Sequence, residues 1–159
     1  MPRVSHHFVV DRPIGAVFDV VTTARFWTEW HPATRGVEGD VGHPARLGDQ
    51  IIEHVTIAGI EGSGTWTVVE HDPPCHLALE SNLAAGVMRI SYQLSQAAGG
   101  GTRFQRDLDF PEFGPQVSAA MEAQSAEGIA NLARLVRREL PRADRPATTE
   151  AGQPRFEGG

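Results

Sequence analysis

Two ionisable residues stand where apolar neighbours would be expected. In Ile51–Ile57 the alternating set is Ile51, Glu53, Val55 and Ile57, and in Thr102–Phe110 it is Phe104, Arg106, Leu108 and Phe110. Successive strand side chains point to opposite faces, so Glu53 and Arg106 share the inward face with aliphatic and aromatic residues. His6, Ser81 and Tyr92 fall on the same kind of face in Val4–Val10, His76–Leu83 and Val87–Ser95. Unpaired charges avoid burial. An inward carboxylate and guanidinium therefore reach water at the mouth of the fold, pair with one another, or meet a ligand; a one-residue bulge would turn either outward. In the ligand case Arg106 suits a carboxylate or an enolate. Glu53, His6 or Tyr92 would then be the groups that move protons.

Other chemistries have less support. The chain has seven His, but His6 and His7 are strand neighbours facing opposite sides, and neither HxxxH nor CxxC spacing occurs, so no metal is expected. Cys75 follows two prolines in a turn with no base positioned beside it, and it is the only cysteine, so no internal disulfide exists. Trp27 and Trp30 read as core or lid residues. Gly99-Gly100-Gly101 lacks the strand-to-helix context of a phosphate loop, and no cofactor is expected. The net charge of −6 argues against nucleic acid or an anionic membrane as partner. No apolar run reaches the ~18 residues of a membrane span, and the N-terminus lacks a signal peptide's order, so the cytoplasm is the default location. All 14 basic residues are Arg, which reads as the coding bias of a GC-rich bacterial genome.

The elements that must position these residues follow from periodicity. Val4–Val10 alternates as a strand. Asp11-Arg12-Pro13 then starts a short helix through Ile14, Val17, Phe18 and Val21, with Pro13 near the first helical position. A second short helix carries Phe26, Trp27 and Trp30 and stops at His31-Pro32, because a residue before Pro leaves the helical region. Strands follow around Val37, over Gln50–Ile57, Gly64–His71, His76–Leu83, Val87–Ala97 and Thr102–Phe110, separated by Gly- and Pro-rich turns. Seven strands on short connections make one antiparallel meander. Residues 1–140 form a single domain, and the Pro-, Gly- and charge-rich tail over 141–159 is expected to be disordered.

One long helix, Gly114 to Leu140, carries an apolar stripe of Val117, Met121, Ile129, Leu132, Leu135, Val136 and Leu140. Its face is interrupted by Gln124, Ser125 and Gly128. A glycine inside a helix costs about 1 kcal/mol against alanine, so Gly128 signals a close approach to the backbone there. The sheet must bury one face against this helix, and a long sheet curled round one helix leaves part of its concave side unfilled. The expected cavity is lined by Phe8, Val55, Trp66, Leu79, Met88, Ile90, Tyr92 and Phe104, with His6, Glu53, Arg106, Met121 and Gly128 completing the candidate site.

This order of elements resembles the helix-grip fold of the START-like superfamily, which includes Bet v 1-like proteins and polyketide cyclases. Locally, Pro13-Ile-Gly-Ala-Val-Phe18, Phe26-Trp-Thr-Glu-Trp30-His-Pro32 and Val69-Glu-His-Asp-Pro-Pro74 are similar to the bacterial polyketide cyclase/dehydrase and lipid-transport group. The resemblance implies an α+β fold: a seven-stranded curved antiparallel sheet around a long C-terminal helix, with two short helices after the first strand. It further implies an apolar ligand bound between sheet and helix. It carries over no catalytic motif, and fold does not fix function. Three classes remain: a carrier or sensor of a small hydrophobic molecule, a cyclase/dehydratase-type enzyme, or a partner-binding module like the chaperone activators. Either a monomer or a homodimer is compatible with each.

Overall fold

The computed structural model describes residues 2–143. Most of the expected tail, from 144 onward, lies outside the described residues. The chain begins with β1 (Arg3–Val10), in which Val4, Phe8 and Val10 are buried between exposed neighbours. α1 (Ile14–Val21) follows, with Pro13 one residue before the helix in extended conformation. A 3-10 turn over Ala24–Phe26 leads into the single-turn α2 (Trp27–Trp30). Then come β2 (Thr34–Gly39), β3 (Gln50–Ile57), β4 (Ile60–Asp72), β5 (His76–Leu83), β6 (Gly86–Gln96) and β7 (Thr102–Asp109). The chain's long helix, α3, runs over Pro115–Glu139 with its proline in the first turn, where a missing N–H is harmless.

All seven strands pair antiparallel in the order β1-β7-β6-β5-β4-β3-β2. Register shifts between Thr34 and Gly36 and between Val68 and Glu70 add bends to the natural twist, and the sheet curves into a half-barrel. This is the helix-grip architecture. α3 lies against β1, α1 and α2 and touches one end of β3. Its C-terminal half is sealed: Leu132 and Val136 are wholly buried and Ile129 and Leu135 nearly so. Such side chains contribute about 1.5–3 kcal/mol each by leaving water. Arg12, itself buried, locks that end by donating to the carbonyls of Leu140 (2.8 Å) and Arg137 (2.9 Å). Helix C-terminal carbonyls have no partners within the helix, and a cation there also suits the helix dipole.

One strand starts earlier than its composition suggests. β4 begins at Ile60, not Gly64, because the chain turns on two residues, Ala58 and Gly59, both at positive φ (51° and 77°). Ile57 pairs directly with Ile60 across this turn, the geometry that matches strand twist. Gly62 and Gly64 therefore lie within the ladder, opposite Val55 and Glu53. They share a face with Trp66.

Candidate functional site

The N-terminal half of α3 does not close down on the sheet. Between it and β3–β6 lies an open cleft of about 340 Å³. Its walls are Val55 and Ile57 from β3, Ile60, Gly62, Gly64 and Trp66 from β4, Leu83 from β5, Met88 from β6, and Phe113, Val117 and Met121 along the helix side. The glycines are part of the reason that space exists. An added Cβ at Gly62 would meet only a Val55 methyl, at 3.9 Å, whereas one at Gly64 would come within 3.2 Å of Ser81 Oγ.

Deeper in, a recess of about 50 Å³ continues the cleft, sharing Glu53, Val55, Ile57, Trp66, Met88 and Met121 and adding His31, Ile90, Arg106, Leu108 and Gln124. The polar groups of the candidate site meet here. Arg106 on β7 stands opposite His6 of β1 and Tyr92 of β6. It is 4% exposed, donates from Nη1 to Ser125 Oγ (3.2 Å) and lies 5.7 Å from the Trp30 ring centroid. Its Nε has no hydrogen-bond partner, and among the described residues no carboxylate pairs with it. Ser125 Oγ, accepting from Arg106, also lies 3.1 Å from His6 Nδ1, so its hydroxyl can donate to that ring.

Glu53 is held away from Arg106 by other donors. Thr34 donates its hydroxyl to Oε2 at 2.5 Å, and Trp66 donates its indole N–H to Oε1 at 2.9 Å. Thr34 has one hydroxyl proton, so the 3.2 Å contact to His31 Nδ1 requires that His31 be the donor. Burial first, then the Arg106 charge, push His31 down to about 3, so it is neutral with its proton on Nδ1. Burial likewise raises the Tyr92 phenol, with Arg106 opposing.

The structure divides the candidate residues. Glu53, Val55, Trp66, Met88 and Met121 line both spaces, and Ile90 and Arg106 line the recess. Phe8 stacks on Phe104 instead and Tyr92 meets Phe104 edge-on (ring centroids 5.0 and 5.1 Å apart), and Leu79 is buried core. His6 reaches the recess only through Ser125. Gly128 does not border the cleft. A Cβ there would lie 3.4 Å from both Pro32 and Trp30 and 3.5 Å from His31, so the glycine admits the α2–β2 connection. His31 and Thr34 were missed, because His31-Pro32 carries a helix-stop signal that masks any other role. Gln124 and Ser125 were visible only as the polar break in the helix stripe.

Elsewhere, Asp40, His43 and Asp49 bring ligand-type atoms within 4.8 Å of one another. Each already has a protein partner: the Gln50 amide donates to Asp40 and the Arg46 amide to Asp49, while His43 faces Pro44 O and the Arg46 guanidinium.

A family profile described as "Polyketide cyclase / dehydrase and lipid transport" matches residues 1–137. The chain belongs to this family. Among its curated relatives is Penitrem biosynthesis cluster 1 protein I of Penicillium ochrochloron, 36% identical over 62 residues, which is 38% of this chain and 40% of the fungal protein. Solved structures with the same fold include the Zhui aromatase/cyclase of a Streptomyces species, at 17% identity and TM-score 0.71 over 87% of this chain and 94% of that one. The Aha1 dimer of Colwellia psychrerythraea is similar at 15% identity and TM-score 0.65, over 86% and 96% of the two chains. Among the described residues no helix is long and apolar enough to cross a membrane.

Proposed function

We propose that this family member binds a small, largely apolar molecule in the cleft between β3–β6 and the N-terminal half of α3, as a carrier or sensor. The observation that carries the reading is Arg106. A guanidinium buried to 4% exposure, with an unpartnered Nε and no carboxylate against it, lies at the floor of a cleft walled mostly by hydrocarbon. A buried cation in that condition is costly until an oxygen is brought to it. A ligand with an apolar body and one oxygenated end supplies both needs.

Two measurements test it. Native mass spectrometry of freshly purified protein is expected to reveal a bound hydrophobic compound, or uptake of a long-chain ketone supplied to the protein. Gly62→Leu, at a position whose Cβ has room, is expected to leave the fold intact and to lower Nile red binding at least about tenfold. Equal dye binding by the two proteins would remove the cleft from the account.

A second reading has its own support. Glu53 lines the same recess as Arg106 and is tied through Thr34 to neutral His31, so one space is bordered by a carboxylate that could act as a base and a cation able to stabilise an enolate. That is the outline of a cyclase/dehydratase-type enzyme. Turnover of a reactive poly-ketone, lost in Glu53→Gln, would favour it over simple carriage.

A further inference from the structure

On the outer face of the sheet, three side chains from neighbouring strands form a continuous chain of hydrogen bonds. His54 of β3 stands opposite Ser63 of β4 and opposite Gly36 of β2. Alternation turns the His54 and Ser63 side chains away from the face that carries Glu53, Val55 and Trp66. Ser63 Oγ lies 2.8 Å from His54 Nδ1, and Glu38 Oε2 of β2 lies 2.6 Å from His54 Nε2. A carboxylate only accepts, so Nε2 carries the proton of the neutral ring and the Nδ1 lone pair receives the Ser63 hydroxyl. Gly36 places no side chain against the ring; an added Cβ would touch His54 Cδ2 at 3.8 Å. Other histidines stop short of this arrangement. His76 meets the Glu70 carboxylate and His6 the Ser125 hydroxyl, but among the described residues only His54 bonds to both kinds of group. Ser63 and His54 line an open groove of about 380 Å³ with Arg35, Thr56 and Glu61, and Ser63 also borders the mouth of the cleft. Arg35 is exposed and enters none of the ion pairs of the described residues.

From this juxtaposition we infer that Ser63, His54 and Glu38 form an acyl-transfer site that hydrolyses small, uncharged, activated esters. A nucleophile in hydrogen-bond reach of a base, with the base held by a third group, is the arrangement such chemistry requires. Ser63 Oγ attacks the acyl carbon and its proton passes to His54 Nδ1. The bond from that carbon to the leaving oxygen breaks, and the leaving oxygen takes the proton from Nδ1, which leaves an acyl-serine. Water then attacks the acyl carbon and gives a proton to Nδ1, and Ser63 Oγ departs and recovers that proton. Ester and water have become acid and alcohol. Arg35, the cation of the groove, is the group placed to meet the oxyanion. Glu38 is a positioning residue that holds the ring in the tautomer the serine needs. All three stand on paired strands, which fix side chains more closely than loops do. Glu61 on the same groove disfavours an anionic acyl group, and a single exposed cation at the oxyanion suits a good leaving group. The site is independent of what the cleft binds.

The test is release of p-nitrophenol from p-nitrophenyl acetate, with peptide mass spectrometry of the acid-quenched protein to locate the acetyl group. Wild type is expected to carry acetyl on Ser63 and to release the phenol faster than buffer. Ser63→Ala and His54→Gln are each expected to lose at least about tenfold in rate. Both side chains lie at the surface, and equal urea midpoints will show that the variants are folded. Glu38→Gln is expected to lower kcat by about tenfold and leave KM unchanged, because an amide N–H facing Nε2 holds the wrong tautomer. The exposed Cys75 thiol also accepts acetyl, so the deciding quantity is the part of the rate that Ser63→Ala removes. Equal rates in wild type and Ser63→Ala, a rate no faster than buffer, or acetyl found only at residues other than Ser63 would each overturn the inference. None of these results would touch the cleft reading, which rests on dye and ketone binding.

Discussion

Arg12 and Arg106 are both buried arginines beside α3, yet they end differently. Arg12 donates to the Leu140 and Arg137 carbonyls, to the Asp11 carbonyl at 3.2 Å and to the Asp11 carboxylate. Its charge is spent on backbone groups at the helix C-terminus. Arg106 has one hydroxyl partner, an aromatic face and an idle Nε. The helix around each follows suit: Leu132 and Val136 are sealed near Arg12, while Val117 and Met121 border open space. The same residue type thus acts as a clasp where its donors are satisfied internally. It is held ready for a partner where they are not.

Breaking the closed end should have the largest effect. Arg12→Met strips several charge-assisted hydrogen bonds and leaves carbonyls unpaired, so a loss of about 3 kcal/mol is expected. For a chain of this size that is roughly 10 °C in Tm, read by thermal unfolding. Nile red binding at the open end should survive. Gly128→Leu comes next. A Cβ there would already touch Pro32 and Trp30 at 3.4 Å, leaving no room for the leucine atoms beyond it, so overpacking of about 1–3 kcal/mol is expected, measured by urea denaturation. A stability equal to or above wild type would mean that the α2–β2 connection yields freely.

A smaller, graded effect concerns pH. Folded His31 protonates only near about 3, whereas in the unfolded chain it does so near the ordinary 6.5. Between those values the unfolded state binds more protons. Stability from this group is therefore complete above 6.5 and falls as pH drops towards 3. The slope approaches about 1.4 kcal/mol per pH unit. Urea midpoints collected from pH 7 to pH 5 should show this decline in wild type and a flatter profile in His31→Gln. Identical profiles would mean that His31 accepts its proton in the folded state.

Much of the closed region could be read from the chain, and less of the open one. Alternation placed Arg106, His6 and Tyr92 on one inward face, and the ladder does set them side by side. The apolar stripe of α3 and its proline start predicted the helix to within a residue at each end. Glycines were harder, because local composition does not say what lies opposite. Gly62 and Gly64 resemble turn residues until one knows that Ala58 and Gly59 already make the turn. Gly128 signals a close approach, but the approaching group, Trp30 to Pro32, comes from the far end of the sequence. The Thr34–Glu53–Trp66 bonds depend on strand register across a bulged edge, which no periodicity reveals.

The most direct test of the open end is Arg106→Met, with urea stability and Nile red displacement by a long-chain ketone measured on the same preparation. Replacing a buried, partly unsatisfied charge with an apolar side chain is expected to leave stability equal or slightly higher. The ketone's affinity should fall at least about tenfold, the loss of a charge-assisted hydrogen bond. A large drop in stability with the ketone's affinity unchanged, rescued by also making Glu53→Gln, would instead make Arg106 a structural partner of Glu53 and contradict the account.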